Sequence, residues 1–205
     1  MTVLKMLRPT DSGYNEAIET MLLHLHSGGL VAADTGDLDI SAIVADILQQ
    51  VSEGGDAAAA RLTSKFDNAD INPDRLRVSA DEIAAAGGRA DTDFIALMHK
   101  AISNIRDYQE HIKLKAPAAL EKGGRQLGIR YTPLDRVAVY VPGGQALYPS
   151  TVLMTVVPAL VAGVKEVVML SPPRSGDINP MVLALAAELG ISEVYRLGGG
   201  IILLR

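Results

Sequence analysis

The chain has 205 residues, no cysteine and a formal net charge of -5. That length supports one large domain or two modest ones around a hydrophobic core, and the lack of cysteine excludes disulfides, a thiol nucleophile and a cysteine-ligated zinc site, which fits a cytoplasmic protein. The acidic balance and the absence of a long basic run argue against nucleic acid as a partner, and no stretch reaches the roughly 18 uninterrupted apolar residues of a membrane span.

The first forty residues carry the weakest signal. His24 and His26 alternate with Leu23 and Leu25, but a metal site needs further ligands and none is close in sequence, so the pair reads as structural. Gly28, Gly29 and Gly36 mark this stretch as a lead-in. From Ile40 the pattern clears, because Ile40, Ile43, Val44, Ile47, Leu48 and Val51 share one helical face. Gly54-Gly55 ends this helix and Asp56 is placed to cap the next. That next helix directs Ala59, Leu62 and Phe66 to the core until Asp67-Asn68 stops it.

Ser79, with Glu82 three residues on, forms a capping box for a short helix closed by Gly87-Gly88. The longest helix is expected over residues 91–114. Its apolar stripe is Phe94, Leu97, Met98, Ala101, Ile102, Ile105, Tyr108 and Ile112, spaced by three and four. His99 and His111 fall off that stripe and read as solvated, as do the charges around them. Pro117 ends the element, and Gly123-Gly124 turns the chain into a strand over residues 126–131.

The last third alternates strands and helices. Val137 to Val141 is an apolar run that meets Pro142-Gly143-Gly144, and a buried helix follows over residues 152–163. A second run, 166–170, is closed by Ser171-Pro172-Pro173 and followed by a helix over 179–189. A third strand, 193–197, ends at Gly198-Gly199-Gly200. Strands apolar on both faces, alternating with helices, make an α/β protein with a parallel βαβαβ unit and right-handed crossovers. Its ligand edge is the carboxyl end of the strands, where glycine admits close backbone approach and free helix amides favour anionic groups. That edge comprises Tyr140, Pro142, Gly143, Gly144, Ser171 to Pro173 and the three glycines from 198.

An ordinary dinucleotide fingerprint is absent. Its Gly-x-Gly-x-x-Gly spacing is replaced by Gly143-Gly144-Gln145-Ala146-Leu147, and the second strand ends in Ser171 where an acidic residue would hold the ribose hydroxyls. A plain chain-reversing turn is the competing reading of Pro142-Gly143-Gly144.

The order of motifs is more specific than any one of them. Ser64-Lys65-Phe66-Asp67, Asn104-Ile105-Arg106 and the run from Pro133 to Gly144 are followed by Ser150-Thr151-Val152-Leu153-Met154, Val157-Pro158-Ala159, Ala162-Gly163-Val164 and Ser171-Pro172-Pro173. Together they resemble the amino-terminal half of the histidinol dehydrogenase family over residues 40–200. The resemblance implies a zinc-dependent cytoplasmic homodimer that oxidises L-histidinol to L-histidine in two NAD-linked steps through the aldehyde. It implies a cofactor role for Tyr140, with Pro142, Gly143 and Gly144 forming the turn beside it, and Tyr148 and Ser150 nearby.

The family's acid/base pair and its zinc ligands match no residue here, so neither catalytic nor metal residues are assigned. The pattern Gln-Ala-Ile-Ala-Ala-Leu that follows the family's glycine run is replaced by Ile201-Ile202-Leu203-Leu204-Arg205, which reads as a truncation or frameshift. The expected organisation is a helical amino-terminal region with a connecting segment, 1–135, and an incomplete Rossmann-like NAD-binding domain, 136–205. Two alternatives stand beside the histidinol reading. One is a non-catalytic fragment or interaction module, whose uncovered sheet edge and apolar tail invite association. The other is a related dehydrogenase acting on a sulfonated diol.

Overall fold

The computed structural model describes residues 10, 12–26, 40–143, 148–173 and 176–198. The chain divides into two compact units, Met1–Ile43 and Val44–Arg205. The first contains α1 (Tyr14–His26), so the alternation of leucine and histidine at 23–26 belongs to a helix. The tail from Ile201 lies outside the described residues.

The second unit takes in α2 (Ile40–Asp67) from Val44 onward. This helix is broken where the sequence places its glycine pair, since Gly55 has φ 52 and ψ -138. After a 3-10 turn at Pro73–Arg75 come α3 (Ala80–Gly88) and α4 (Thr92–Ile112). The capping box at α3 forms as expected: Glu82 N–H donates to the Ser79 hydroxyl at 3.2 Å and Ser79 N–H donates to the Glu82 carboxylate at 2.8 Å. Asp91 caps α4 by accepting from Phe94 N–H at 2.8 Å.

The strand expected over 126–131 is shorter, because β1 (Leu120–Lys122) and β2 (Arg125–Leu127) form an antiparallel hairpin about Gly123 and Gly124. All six strand residues are exposed, and with no face to bury the pairing ends at Leu127.

The parallel sheet contains β3 (Arg136–Tyr140), β4 (Glu166–Ser171) and β5 (Glu193–Arg196) in that order. Helices α5 (Pro149–Ala162) and α6 (Pro180–Glu188) make the two crossovers. Proline opens both helices, and left-handed Gly163, φ 94, ends α5. Successive strand residues face opposite layers. Val167 and Met169 join the core formed with α3, α5 and α6, whereas Leu170 packs with Ile47, Val51, Ala59 and Leu62 of α2. Helices therefore cover both faces of β4, whereas Arg136, Ala138 and Tyr140 of β3 stay exposed, against the expectation of strands apolar on both faces. At the amino edge, Arg136 ties the first residues of the other two strands, Glu166 at 2.7 Å and Glu193 at 2.6 Å.

Three expectations need correction. The expected bare edge is not found on both sides: β3 is unpaired on its outer side among the described residues, but Leu76 to Val78 runs antiparallel along the outer edge of β5, with Val78 N–H donating to Val194 O at 2.9 Å and Arg196 N–H to Leu76 O at 2.7 Å. The stripe of α4 is only half buried. Phe94, Met98, Ala101, Ile102 and Ile105 pack on the core, but Leu97, Tyr108 and Ile112 are exposed, because α4 forms an outer layer that meets the core along a narrow strip. His99 is exposed but paired, its Nε2 lying 2.6 Å from Glu188 Oε2 and tying α4 to α6.

Two smaller departures concern α2. Phe66 is exposed with Lys65 Nζ over its ring, and the inward place in that last turn belongs to Asp67. Ile43 is likewise exposed.

Candidate functional site

The carboxyl edge of the sheet brings together residues that are distant in sequence. Tyr140 ends β3 opposite Leu170 of β4, and it is 38% exposed after the apolar run Val137 to Val139. The next residue, Val141, is fully buried and donates its N–H to Leu170 O at 2.8 Å, which carries the β3–β4 pairing one step beyond Tyr140. Pro142 and Gly143 then leave the sheet half-buried.

Gly143 is required by crowding. A Cβ there would stand 2.7 Å from the Pro172 carbonyl oxygen and 2.8 Å from the Pro172 Cγ. Contacts so short exclude a side chain, so the turns after β3 and β4 touch backbone to backbone. Gly144 lies outside the described residues, as do Gly199 and Gly200. Tyr148, 45% exposed, precedes α5 and gives it no side-chain cap, and Ser150 is exposed in its first turn. Pro149 has no N–H and the Thr151 N–H donates to Tyr148 O at 3.0 Å, which leaves the Ser150 amide as the first-turn donor without a capping side chain at this edge.

On the β5 side, Leu197 N–H donates to Ser171 O at 3.1 Å and Gly198 follows. The space beside Gly198 is filled by Asp67 from α2, whose Cγ would lie 2.9 Å from a Cβ at that position. Asp67 Oδ2 is buried and has no hydrogen-bond partner among the described residues. Burial pushes the Asp67 carboxyl above its ordinary value.

Arg196, the last residue of β5, is also buried, yet fully engaged. Its Nε donates to Asp177 at 3.0 Å, one terminal nitrogen donates to the Glu82 carboxylate at 2.5 Å, and the other donates to Arg75 O at 3.1 Å. The backbone hydrogen bond from Ser79 holds the Glu82 carboxyl below its ordinary value, and the Arg196 guanidinium adds to this against a desolvation cost.

The sequence places Tyr140, Pro142 and Gly143 at the carboxyl ends of the strands, and in the structure all three lie there. Sequence reasoning missed Asp67 and Arg196 as members of this edge. An aspartate before asparagine at a helix end reads as a stop signal, and only the tertiary fold shows what it faces. Arg196 had a local signal, since a charge inside the run from Val194 to Leu197 demands a partner.

Two cavities among the described residues lie away from this edge. One of about 350 Å³, lined by Lys113, Tyr131, Pro133, Pro158 and Ala162, is at the carboxyl end of α5 and thus at the opposite edge of the sheet. Another of about 370 Å³ adjoins Glu82, Arg89 and Asp177. Neither is lined by Tyr140 or Gly143. Among the described residues no group of three or more metal-ligating side chains converges, so these residues do not fit a zinc ion. No described helix is long and apolar enough to cross a membrane.

Comparison with known proteins fits this architecture. Residues 32–201 match the family model for histidinol dehydrogenase. The chain is similar to the histidinol dehydrogenase of Gluconobacter oxydans, 37% identical over 196 residues that cover 96% of this chain and 44% of the relative. Its similarity to the enzyme of Geobacillus kaustophilus is 43% over 157 residues, covering 76% of this chain and 37% of the relative. The crystal structure of histidinol dehydrogenase from Elizabethkingia anophelis superimposes with a TM-score of 0.73 at 33% identity, covering 82% of this chain and 38% of that one. The chain therefore spans well under half the length of the relatives it matches. With four fifths of its residues inside the family model and its fold similar to that of a solved member, the chain belongs to the histidinol dehydrogenase family of oxidoreductases.

Proposed function

We propose that this chain forms the amino-terminal, cofactor-facing portion of a histidinol dehydrogenase, which oxidises L-histidinol to L-histidine in two NAD-linked steps through the aldehyde. The observation that carries this reading is the meeting of Tyr140, Pro142 and Gly143 with the Ser171-Pro172 turn at the carboxyl ends of β3 and β4. Parallel sheets bind ligands at that edge. NAD supplies the hydride acceptor when bound. The chain's own part is to offer the exposed Tyr140 ring as a contact surface, and to let backbone approach closely at Gly143, where no side chain stands in the way. The Ser150 amide in the first turn of α5 adds a donor suited to an anionic group.

Zinc, cytoplasmic location and a homodimeric assembly belong to the same proposal through the family. The metal is assigned to no described residue. The exposed apolar side chains Leu97, Tyr108, Leu114, Leu127, Tyr131 and Leu134 favour a second element of the reading, that this chain works packed against further polypeptide.

The test has two arms. NAD is expected to raise the melting temperature of the 205-residue chain, and Tyr140→Ala to remove that rise; a rise that survives the substitution refutes the role of Tyr140. With histidinol, NAD and zinc, the chain by itself is expected to form no NADH. Turnover by the chain alone would overturn the reading that the chemistry resides outside these residues.

A further inference from the structure

Asp67 is locally costly on three counts. It is an acidic residue in the last turn of α2, where the helix dipole disfavours negative charge. Its Oδ2 is buried and without a hydrogen-bond partner among the described residues, a condition that native proteins rarely tolerate. Burial raises its proton affinity, so the ionised form is penalised. The chain then leaves through Asn68 with φ 50, the one non-glycine residue with positive φ among the described residues. Local violations of this kind concentrate where a site needs a particular geometry.

The position of the side chain says which geometry. It fills the space that a Cβ would occupy at Gly198, and Gly198 directly follows Leu197, whose amide is bonded to Ser171 O. Both lie where the backbone leaves β5 at the carboxyl edge of the sheet. A glycine at 198 and a carboxyl group at 67 are therefore complementary shapes, one from the end of the Rossmann-like unit and one from the helix on the sheet's other face. Thr63, one turn earlier on α2, is also fully buried and its Oγ1 has no partner among the described residues, so the whole inner face of this last turn is more polar than a helix-to-sheet contact requires.

We propose that Asp67 is a positioning residue of the candidate cofactor site, which by packing against Gly198 sets the path of the backbone that leaves β5. The cofactor part of this statement rests on the NAD reading above; the backbone part does not.

The experiment is site-resolved amide hydrogen exchange on the 205-residue chain and its D67A and D67N variants, with NAD affinity measured in parallel. D67A is expected to speed exchange at the Leu197 amide about tenfold, the equivalent of one lost buried contact. The Val141 amide, bonded to Leu170 on the neighbouring strand pair, keeps its protection. D67A is expected to weaken NAD binding by a similar factor, and D67N, which keeps the shape, restores both. Equal loss of protection at Leu197 and Val141, unchanged exchange at both, or failure of D67N to restore protection at Leu197 would each overturn the proposal. If D67A does not fold, G198A pushes on the same contact from the other side, and it must loosen Leu197 and spare Val141. If the parent chain binds no NAD while the exchange pattern follows the expectation, the NAD reading fails and the backbone role of Asp67 stands.

Discussion

Gly143 and Pro172 approach so closely that a Cβ on residue 143 would stand 2.7 Å from the Pro172 carbonyl oxygen. The obstacle is partly backbone, which cannot swing aside as the tip of a side chain can. Gly143→Ala is expected to force the turns after β3 and β4 apart at a cost of about 1–3 kcal/mol, the range for overpacking. Thermal unfolding measures that loss. The NAD-induced rise in melting temperature should fall along with it, whereas Gly88→Ala, at a glycine with open space around its Cβ position, leaves that rise intact.

Arg196 is a buried cation whose two carboxylate partners, Glu82 and Asp177, are about half exposed. Arg196→Met removes the cation and leaves the carbonyl of Arg75 and the two carboxylates to find other donors. Breaking a buried pair from one side costs roughly 3–5 kcal/mol, and the water-accessible carboxylates place this case near the lower end. The urea midpoint of the variant measures it, and an unchanged midpoint would contradict the role given to this network.

Glu82 gives the same network a pH dependence. Its folded carboxyl titrates below the ordinary 4.5, chiefly through the Ser79 backbone hydrogen bond. The folded state therefore holds the carboxylate more firmly than the unfolded state does. The stability it contributes is fully present above the ordinary value and is lost as pH falls through the folded one. Glu82→Gln is expected to flatten the acid side of the stability curve below about pH 4.5, seen in urea melts at stepped pH.

Asp67 runs the other way. Burial raises its carboxyl above the ordinary 3.8, so the folded state prefers the protonated form. Its contribution is most favourable below the ordinary value and declines as pH rises through the folded one. Asp67→Asn is expected to be more stable than the parent at pH 7, with an advantage that shrinks as the pH is lowered toward 4 in the same melts. A variant less stable than the parent at neutral pH would contradict the desolvation argument.

The parts of this molecule legible in the sequence are those whose cause is local. Ser79 and Glu82 form their capping box from four consecutive residues, and Gly163 ends α5 because it alone there takes φ 94 readily. The parallel strands were legible where burial is densest, since Val167 to Leu170 of β4 is buried on both faces and continuously apolar, whereas Arg136, Ala138 and Tyr140 leave one face of β3 exposed. Spacing alone could not tell which part of the α4 stripe meets a neighbour, so Leu97 and Tyr108 were expected inside and are outside. Tyr140 came from the order of motifs along the chain, which no single turn carries. The meeting of Asp67 with Gly198, and of Leu76 to Val78 with β5, joins residues more than 100 positions apart, and nothing in either stretch names the other.

The short strand-like run from Leu76 to Val78 also decides where this sheet can grow. It occupies the outer side of β5, while among the described residues β3 pairs with β4 alone. Among the described residues the free side of the sheet is therefore that of Arg136 to Tyr140, and a strand added there would reverse the winding direction of the sheet. In open α/β sheets that reversal opens a crevice between the carboxyl ends of the two strands flanking it. Tyr140, the last residue of β3, would stand on the rim of such a crevice.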